Sequence, residues 1–207
     1  MPQSPKANRG PSAGPANRQA LIDAAREVFT ELGYTAPMKE IARRAGVGQG
    51  SMYRHFSDRI ALAAAVFEPS IQELESLAVQ PDTTLADLFD RVTEQALSSA
   101  ALTELMSSNR DDPRVTLLGD RTRDTIAMIV EREQSAGSLG TDLSTDHAMV
   151  AVAMLATMIA KSDPQDRADT ARRARDIFDA AFRRTSPAHD SAAAPRTRHH
   201  AARRLNS

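Results

Sequence analysis

Apolar positions in this chain recur at spacings of three and four residues almost from end to end, and no segment alternates with period two over a useful length. That spacing lines up one face of an α-helix, so the pattern predicts an all-α fold with no sheet and no internal repeat. Leu21, Ala24, Ala25, Val28, Phe29 and Leu32 define a first helix over about 18–32, with Asn17 as its N-cap and Gly33 as its stop. A short second run ends at Ala45-Gly46, and a third begins within three residues. A fourth helix extends from Asp58 towards Ala78 with Ser57 as its cap, and Pro69 inside it predicts a kink or break. Further helices are predicted near 83–106 (interrupted around Ala100), 114–136, 144–161 and 165–184. Their limits are suggested by Pro81-Asp82, Asp112-Pro113, the Gly137-to-Gly140 segment and Asp163-Pro164.

The second and third runs carry the chemistry. Two short helices joined by a glycine-containing turn make a helix-turn-helix, whose second helix enters the DNA major groove. In the third helix Met52 and Phe56 form an apolar flank against Val28 and Phe29, and Gly50, Ser51, Arg54 and His55 fall opposite, flanked by Gln49 and Tyr53. Small Gly50 lets the backbone approach base edges, Gln49 has the groups to read adenine, and Arg54 those to read guanine. Lys39, Tyr53, His55 and Arg59 carry donors for phosphate oxygens, and Ser57 with the start of the fourth helix offers backbone N–H groups to another phosphate. The glycines of GVGQG also suit a nucleotide loop, but a dinucleotide fingerprint follows a strand, and here a helix precedes it.

Charge agrees with a DNA reader. Residues 1–67 hold nine Lys/Arg against five Asp/Glu, and residues 68–185 hold 13 against 21. A basic head on an acidic body presents one end to a polyanion. Composition is ordinary for a globular chain, 41% apolar and 26% charged, with no cysteine for disulfides, thiolate chemistry or a Cys-based zinc site. No run reaches the roughly 18 apolar residues of a membrane span, and the N-terminus lacks a secretory h-region. A cytosolic protein without cofactor or metal is expected. Residues 1–16, with four Pro, two Gly and two Ser, read as a disordered arm, and 186–207 as a disordered basic tail. The tail's Arg196, Arg198, Arg203 and Arg204 would either add salt-sensitive DNA affinity or stay solvated, and His199-His200 is a weak metal hint.

ALIDAAREVFTELGY followed by KEIARRAGVGQGSMYRHFSDRIAL, within residues 20–67, resembles the DNA-binding head of the tetracycline-repressor (TetR) family of bacterial regulators. Pro37 and Gly48 depart from the capping residues frequent there. The resemblance implies an all-helical homodimer with a helix-turn-helix head over 17–67 and an effector-binding, dimerising body over 68–185. It implies DNA contacts from Lys39, Gln49, Gly50, Ser51, Tyr53, Arg54, His55 and Arg59. It further implies a cytoplasmic, nucleoid-associated regulator on double-stranded DNA, its two recognition helices about 34–36 Å apart on a palindromic operator.

For the body the expectations are coarser. Residues 148–159 are apolar on every face, which predicts a helix buried on all sides, one towards a partner chain. Ala171, Ala174, Ile177, Phe178, Ala181 and Phe182 form a stripe that is either intrachain core or a dimer seam, and the resemblance favours the seam, with Met149 alongside. A small-molecule effector pocket is expected among the helices near 83–106, 114–136 and 144–161, aliphatic and without an aromatic cage. Its candidates are Phe89, Leu97, Met106, Ile126, Met154 and Thr157, all of which core packing also explains. The expected function is a repressor released by its effector, with Pro69 a pivot between body and head. An activator or effector-independent regulator stays open, as does a non-specific nucleoid protein. No metal-ligand constellation, nucleophile–base pairing or phosphate loop in the sequence supports an enzyme.

Overall fold

The computed structural model describes residues 13–185, so the expected arm up to residue 12 and the tail from 186, including its arginines and His199-His200, lie outside the described residues. Among the described residues the chain forms nine helices and no strand. They are α1 (Ala13–Leu32), α2 (Met38–Arg44), α3 (Gln49–His55), α4 (Arg59–Ala78), α5 (Leu85–Ser98), α6 (Ala101–Ser108), α7 (Pro113–Ser135), α8 (Thr145–Lys161) and α9 (Arg167–Thr185). No helix among them is long and apolar enough to cross a membrane.

Helix ends depart from the periodic reading at two caps. α1 begins at Ala13, so Asn17 sits a turn inside it rather than capping it. Pro15 is tolerated there because the first amides of a helix have no intrahelical acceptor. α4 is capped by Asp58, not Ser57: the Asp58 carboxylate accepts from Ala61 N at 2.8 Å and from Arg114 Nη1 of α7 at 2.9 Å. Ser57 Oγ merely donates to Asp58 Oδ2 at 3.3 Å. α4 runs unbroken through Pro69. Arg121 of α7 holds Glu68 at 2.8 Å and Glu75 at 2.7 Å, so the turn that lost a backbone hydrogen bond is splinted from outside.

Two apolar clusters organise the chain. The first contains Phe29, Met52, Phe56 and Phe67 and also takes in Ala101 and Leu105 of α6 and Val115 and Leu118 of α7. Head and body therefore share a core, and position 67 marks no gap in space. The second cluster holds Phe89, Ile126, Ile129, Leu155 and Ile159. α4 packs along α7, and α8 packs against α5 and α9.

α8 is not buried on all sides within the chain. Ala148, Ala151, Leu155 and Ile159 face the core, whereas Val150, Met154 and Met158, each one turn apart, are 58, 52 and 46% exposed. Ile177 of α9 is 65% exposed. The expected stripe on α9 divides accordingly. Ala174 turns into the chain's own core, and Phe178 stacks on Phe89 with ring centroids 5.6 Å apart. Ile177 and Ala181 stay at the surface, Met149 is half-buried, and the Phe182 side chain lies outside the described residues.

Candidate nucleic-acid interface

At seven residues each, α2 and α3 are too short to persist alone, so packing and caps must hold them. α2 buries Ile41 and Ala42 against α1. Its polar side is tied down by Glu40, which accepts from Arg43 at 2.6 Å and Arg44 at 3.1 Å, while Arg44 reaches back to Glu31 of α1 at 2.6 Å. Hydrogen bonds from Arg43 and then Arg44 pull the Glu40 carboxyl down to about 2. The turn is set by Gly46 at φ +63, a left-handed conformation that side chains with a Cβ resist. Gly46 N–H donates to Arg43 O at 3.2 Å and Val47 N–H to Ala42 O at 3.0 Å, which satisfies the last carbonyls of α2. Val47 is buried, and Gly48, extended at φ −64 and ψ 144, caps α3 without a side-chain bond.

α3 is held by its apolar flank. Met52 is fully buried and Phe56 almost so, with the Arg18 guanidinium 5.1 Å from the Phe56 ring centre. On the far side Gln49, Gly50, Tyr53 and Arg54 are exposed, and Ser51 and His55 are half-buried. Lys39 of α2 is exposed as well. Among the described residues none of the side chains of Lys39, Gln49, Ser51, Tyr53, Arg54 and His55 makes a hydrogen bond or ion pair. A Cβ added at Gly50 would meet nothing within 4 Å, so nothing in the chain itself requires a glycine there.

Arg59 differs in having partners within the chain. Its Nη1 donates to Tyr34 O at 2.7 Å and to Ala36 O, and its guanidinium lies 5.7 Å from the Tyr34 ring centre. Through Nη1 it ties down the loop between α1 and α2 from within. At the start of α4 the Ala61 N–H is taken by the Asp58 carboxylate. The two carbonyls held by Arg59 lie 25 and 23 residues before it, so no local pattern announced that role.

A profile of the bacterial regulatory proteins of the tetR family matches residues 21–66. The head belongs to the TetR family. Relatives of this TetR-family head include the HTH-type transcriptional activator FasR of Mycolicibacterium smegmatis, 42% identical over 76 residues, covering 36% of this chain and 35% of that protein. The HTH-type transcriptional regulator SrpR of Pseudomonas putida is 36% identical over 83 residues, covering 40% of this chain and 38% of that protein. The chain thus spans little more than a third of the length of these two relatives. A TetR transcriptional regulator of Streptomyces coelicolor shares the fold over 80% of this chain and 98% of its own, with a TM-score of 0.55 at 24% identity.

Below the TetR-family head lies a cavity of about 330 Å³ between α4, α5, α6, α7 and α8. Of the expected effector residues, Met106 and Thr157 line it. Phe89 and Ile126 are fully buried in the second cluster, Leu97 is at the surface, and Met154 is on the outer face of α8 in a shallow groove with Val150, Phe178 and Ala181. Met149, expected beside the seam, lines the cavity. Thr103, Arg110 and Gly119 also line it, and helical periodicity alone singled out none of them. Among the described residues no aromatic side chain belongs to the lining.

Proposed function

We propose that this chain is a sequence-specific DNA-binding transcriptional regulator acting as a homodimer on a palindromic operator, and that a small molecule in the cavity releases it from DNA. The observation that carries the reading is the outer face of α3. Gln49, Tyr53 and Arg54 are exposed and without partners among the described residues, on a helix anchored from behind by Met52 and Phe56. Side chains held out unpaired forgo local hydrogen bonds, which suits residues that meet base edges and phosphates instead. Lys39 extends the cationic edge towards the backbone.

The exposed apolar row of Val150, Met154 and Met158, with Ile177 beside it, supports self-association through α8 and α9. Contiguous apolar surface of this kind marks an interaction site, and a two-fold axis there places two heads on two half-sites. Effector release requires a ligand that binds the DNA-competent and released states with different affinities. The shared core of head, α6 and α7 gives such a difference a physical route.

Selection of bound sequences from a random DNA pool tests the reading. A palindrome with half-sites about one helical turn apart is expected; recovery of unselected sequence at physiological salt would refute sequence-specific binding. One relative of the head is named an activator, which favours a second reading with the same DNA contacts and opposite output. Transcription from a promoter carrying the selected site, with and without the protein, decides between them.

A further inference from the structure

Among the described residues the cavity has one ionisable residue in its lining, Arg110, just beyond the end of α6. Arg110 is exposed at the cavity edge, and its guanidinium has no ion-pair or hydrogen-bond partner among the described residues. The neighbouring arginines differ: Arg114 is held by Asp58 and Asp112, and Arg121 by Glu68 and Glu75. Inside, Ile71, Leu74, Val92, Leu102 and Val152 present aliphatic surface. Two hydroxyls, on Thr103 and Thr157, make no hydrogen bond within the described chain, whereas the Thr122 hydroxyl is already donating to Leu118 O at 2.9 Å.

From this lining we infer that the ligand is a flexible aliphatic molecule ending in a carboxylate, its chain in the cavity and its anion on Arg110; the inference rests on the cavity being the regulatory site proposed above. The lining offers no ring to stack on, which disfavours planar aromatic ligands. A guanidinium binds carboxylate through two parallel N–H donors, and Arg110 has its donors uncommitted. Thr103 and Thr157 supply donors for a carbonyl or hydroxyl further along the chain. At roughly 30 Å³ per water, 330 Å³ corresponds to on the order of ten non-hydrogen atoms, the size of a medium-chain acid.

Gly119 supplies a control. A Cβ there would meet only Met106 Cε at 3.7 Å, an ordinary contact, so a longer side chain extends past it into the cavity. Calorimetric titration of the full-length protein with octanoate, decanoate and 1-decanol below their aggregation concentrations tests the inference. Decanoate is expected to bind about tenfold or more tightly than octanoate, since each buried methylene is worth roughly fourfold. It is also expected to bind at least about tenfold more tightly than decanol. Arg110→Ala should bring decanoate to the level of decanol, and Gly119→Leu should remove both, with its melting temperature confirming the fold.

Decanol binding as tightly as decanoate, or decanoate unaffected by Arg110→Ala, overturns the carboxylate assignment; so does no measurable binding of any of the acids. Displacement of the pool-selected DNA, followed by anisotropy in the same titration, separates the two readings. Decanoate that binds through Arg110 yet leaves DNA affinity unchanged sinks the regulatory reading and keeps the ligand class. DNA release by other small molecules, with none by the acids, does the reverse.

Discussion

The side-chain amide of Asn109 donates to the Tyr34 hydroxyl at 3.2 Å, joining the residue that caps the C-terminal end of α6 to the loop that follows α1. Asn109 is flanked by Arg110 of the cavity, and the Tyr34 carbonyl is one of the two held by Arg59. The bond therefore connects the cavity edge to the packing that supports the head. Tyr34→Phe removes it while Asn109 keeps its second bond, to Leu105 O at 3.0 Å. A loss of about 1 kcal/mol is expected in urea unfolding; an unchanged midpoint would show that the bond adds nothing.

Gly46 and Gly50 should respond oppositely to alanine. At φ +63 Gly46→Ala forces a side chain into the left-handed region and should cost about 1–2 kcal/mol. Gly50→Ala fills open space inside α3 and should stabilise by up to about 1 kcal/mol. In the proposed DNA complex the same methyl would stand between backbone and bases, so DNA affinity should fall even as the melting temperature rises. Stabilisation with undiminished binding would place Gly50 away from the DNA.

Lys39 and Arg54 should separate affinity from specificity. Lys39→Ala is expected to weaken binding to all sequences alike and to lower the salt slope by about 1. Arg54→Ala is expected to relax the preference at one base pair at a cost of about 1–3 kcal/mol. A uniform loss from Arg54→Ala would move it to the phosphate backbone.

Acid should weaken the ion pairs that brace α2. Glu40 is held at about 2, below its ordinary 4.5, by hydrogen bonds from Arg43 and Arg44. A depressed carboxylate contributes stability that is fully present above its unfolded value and is lost as pH falls through the folded one. Melting temperatures of the protein and of Glu40→Gln should therefore differ above about pH 4.5 and converge towards pH 2. A constant gap down to pH 2 would assign the effect of Glu40 to packing alone.

Ile177→Asp tests self-association. The side chain is 65% exposed in the single chain, so the substitution should leave the protomer folded. Sedimentation is expected to show a dimer for the parent and a monomer for the variant, with half-site binding in place of cooperative occupancy. A dimeric variant would move the interface elsewhere.

Helix order and approximate limits were legible because each depends on residues within one or two turns. Gly33 and Gly46 stop α1 and α2 at positive φ, as their places after periodic runs implied. The break between α5 and α6 falls at Ser99-Ala100. Met52 and Phe56 bury as their one-turn spacing required. Caps were harder to read where two acceptors compete. Asp58 displaces Ser57 because its carboxylate also meets Arg114, 56 residues away.

The same limit explains the body. Periodicity reports which face of a helix is apolar but not what covers it. Phe89, Met106, Met154 and Phe178 carry the same signal yet lie in core, cavity, outer face and an intrachain ring stack respectively. Arg59 and Arg54 look alike as cations near one helix-turn-helix, but Arg59 Nη1 donates to the carbonyls at positions 34 and 36 while Arg54 is exposed and has no partner among the described residues. By itself the sequence determined the helices, the glycine turn and the polar face of α3, since those follow from local backbone preference and amphipathic spacing. Only the tertiary structure decided which polar groups are already satisfied and which apolar faces enclose space, because both depend on contacts between residues far apart in the chain.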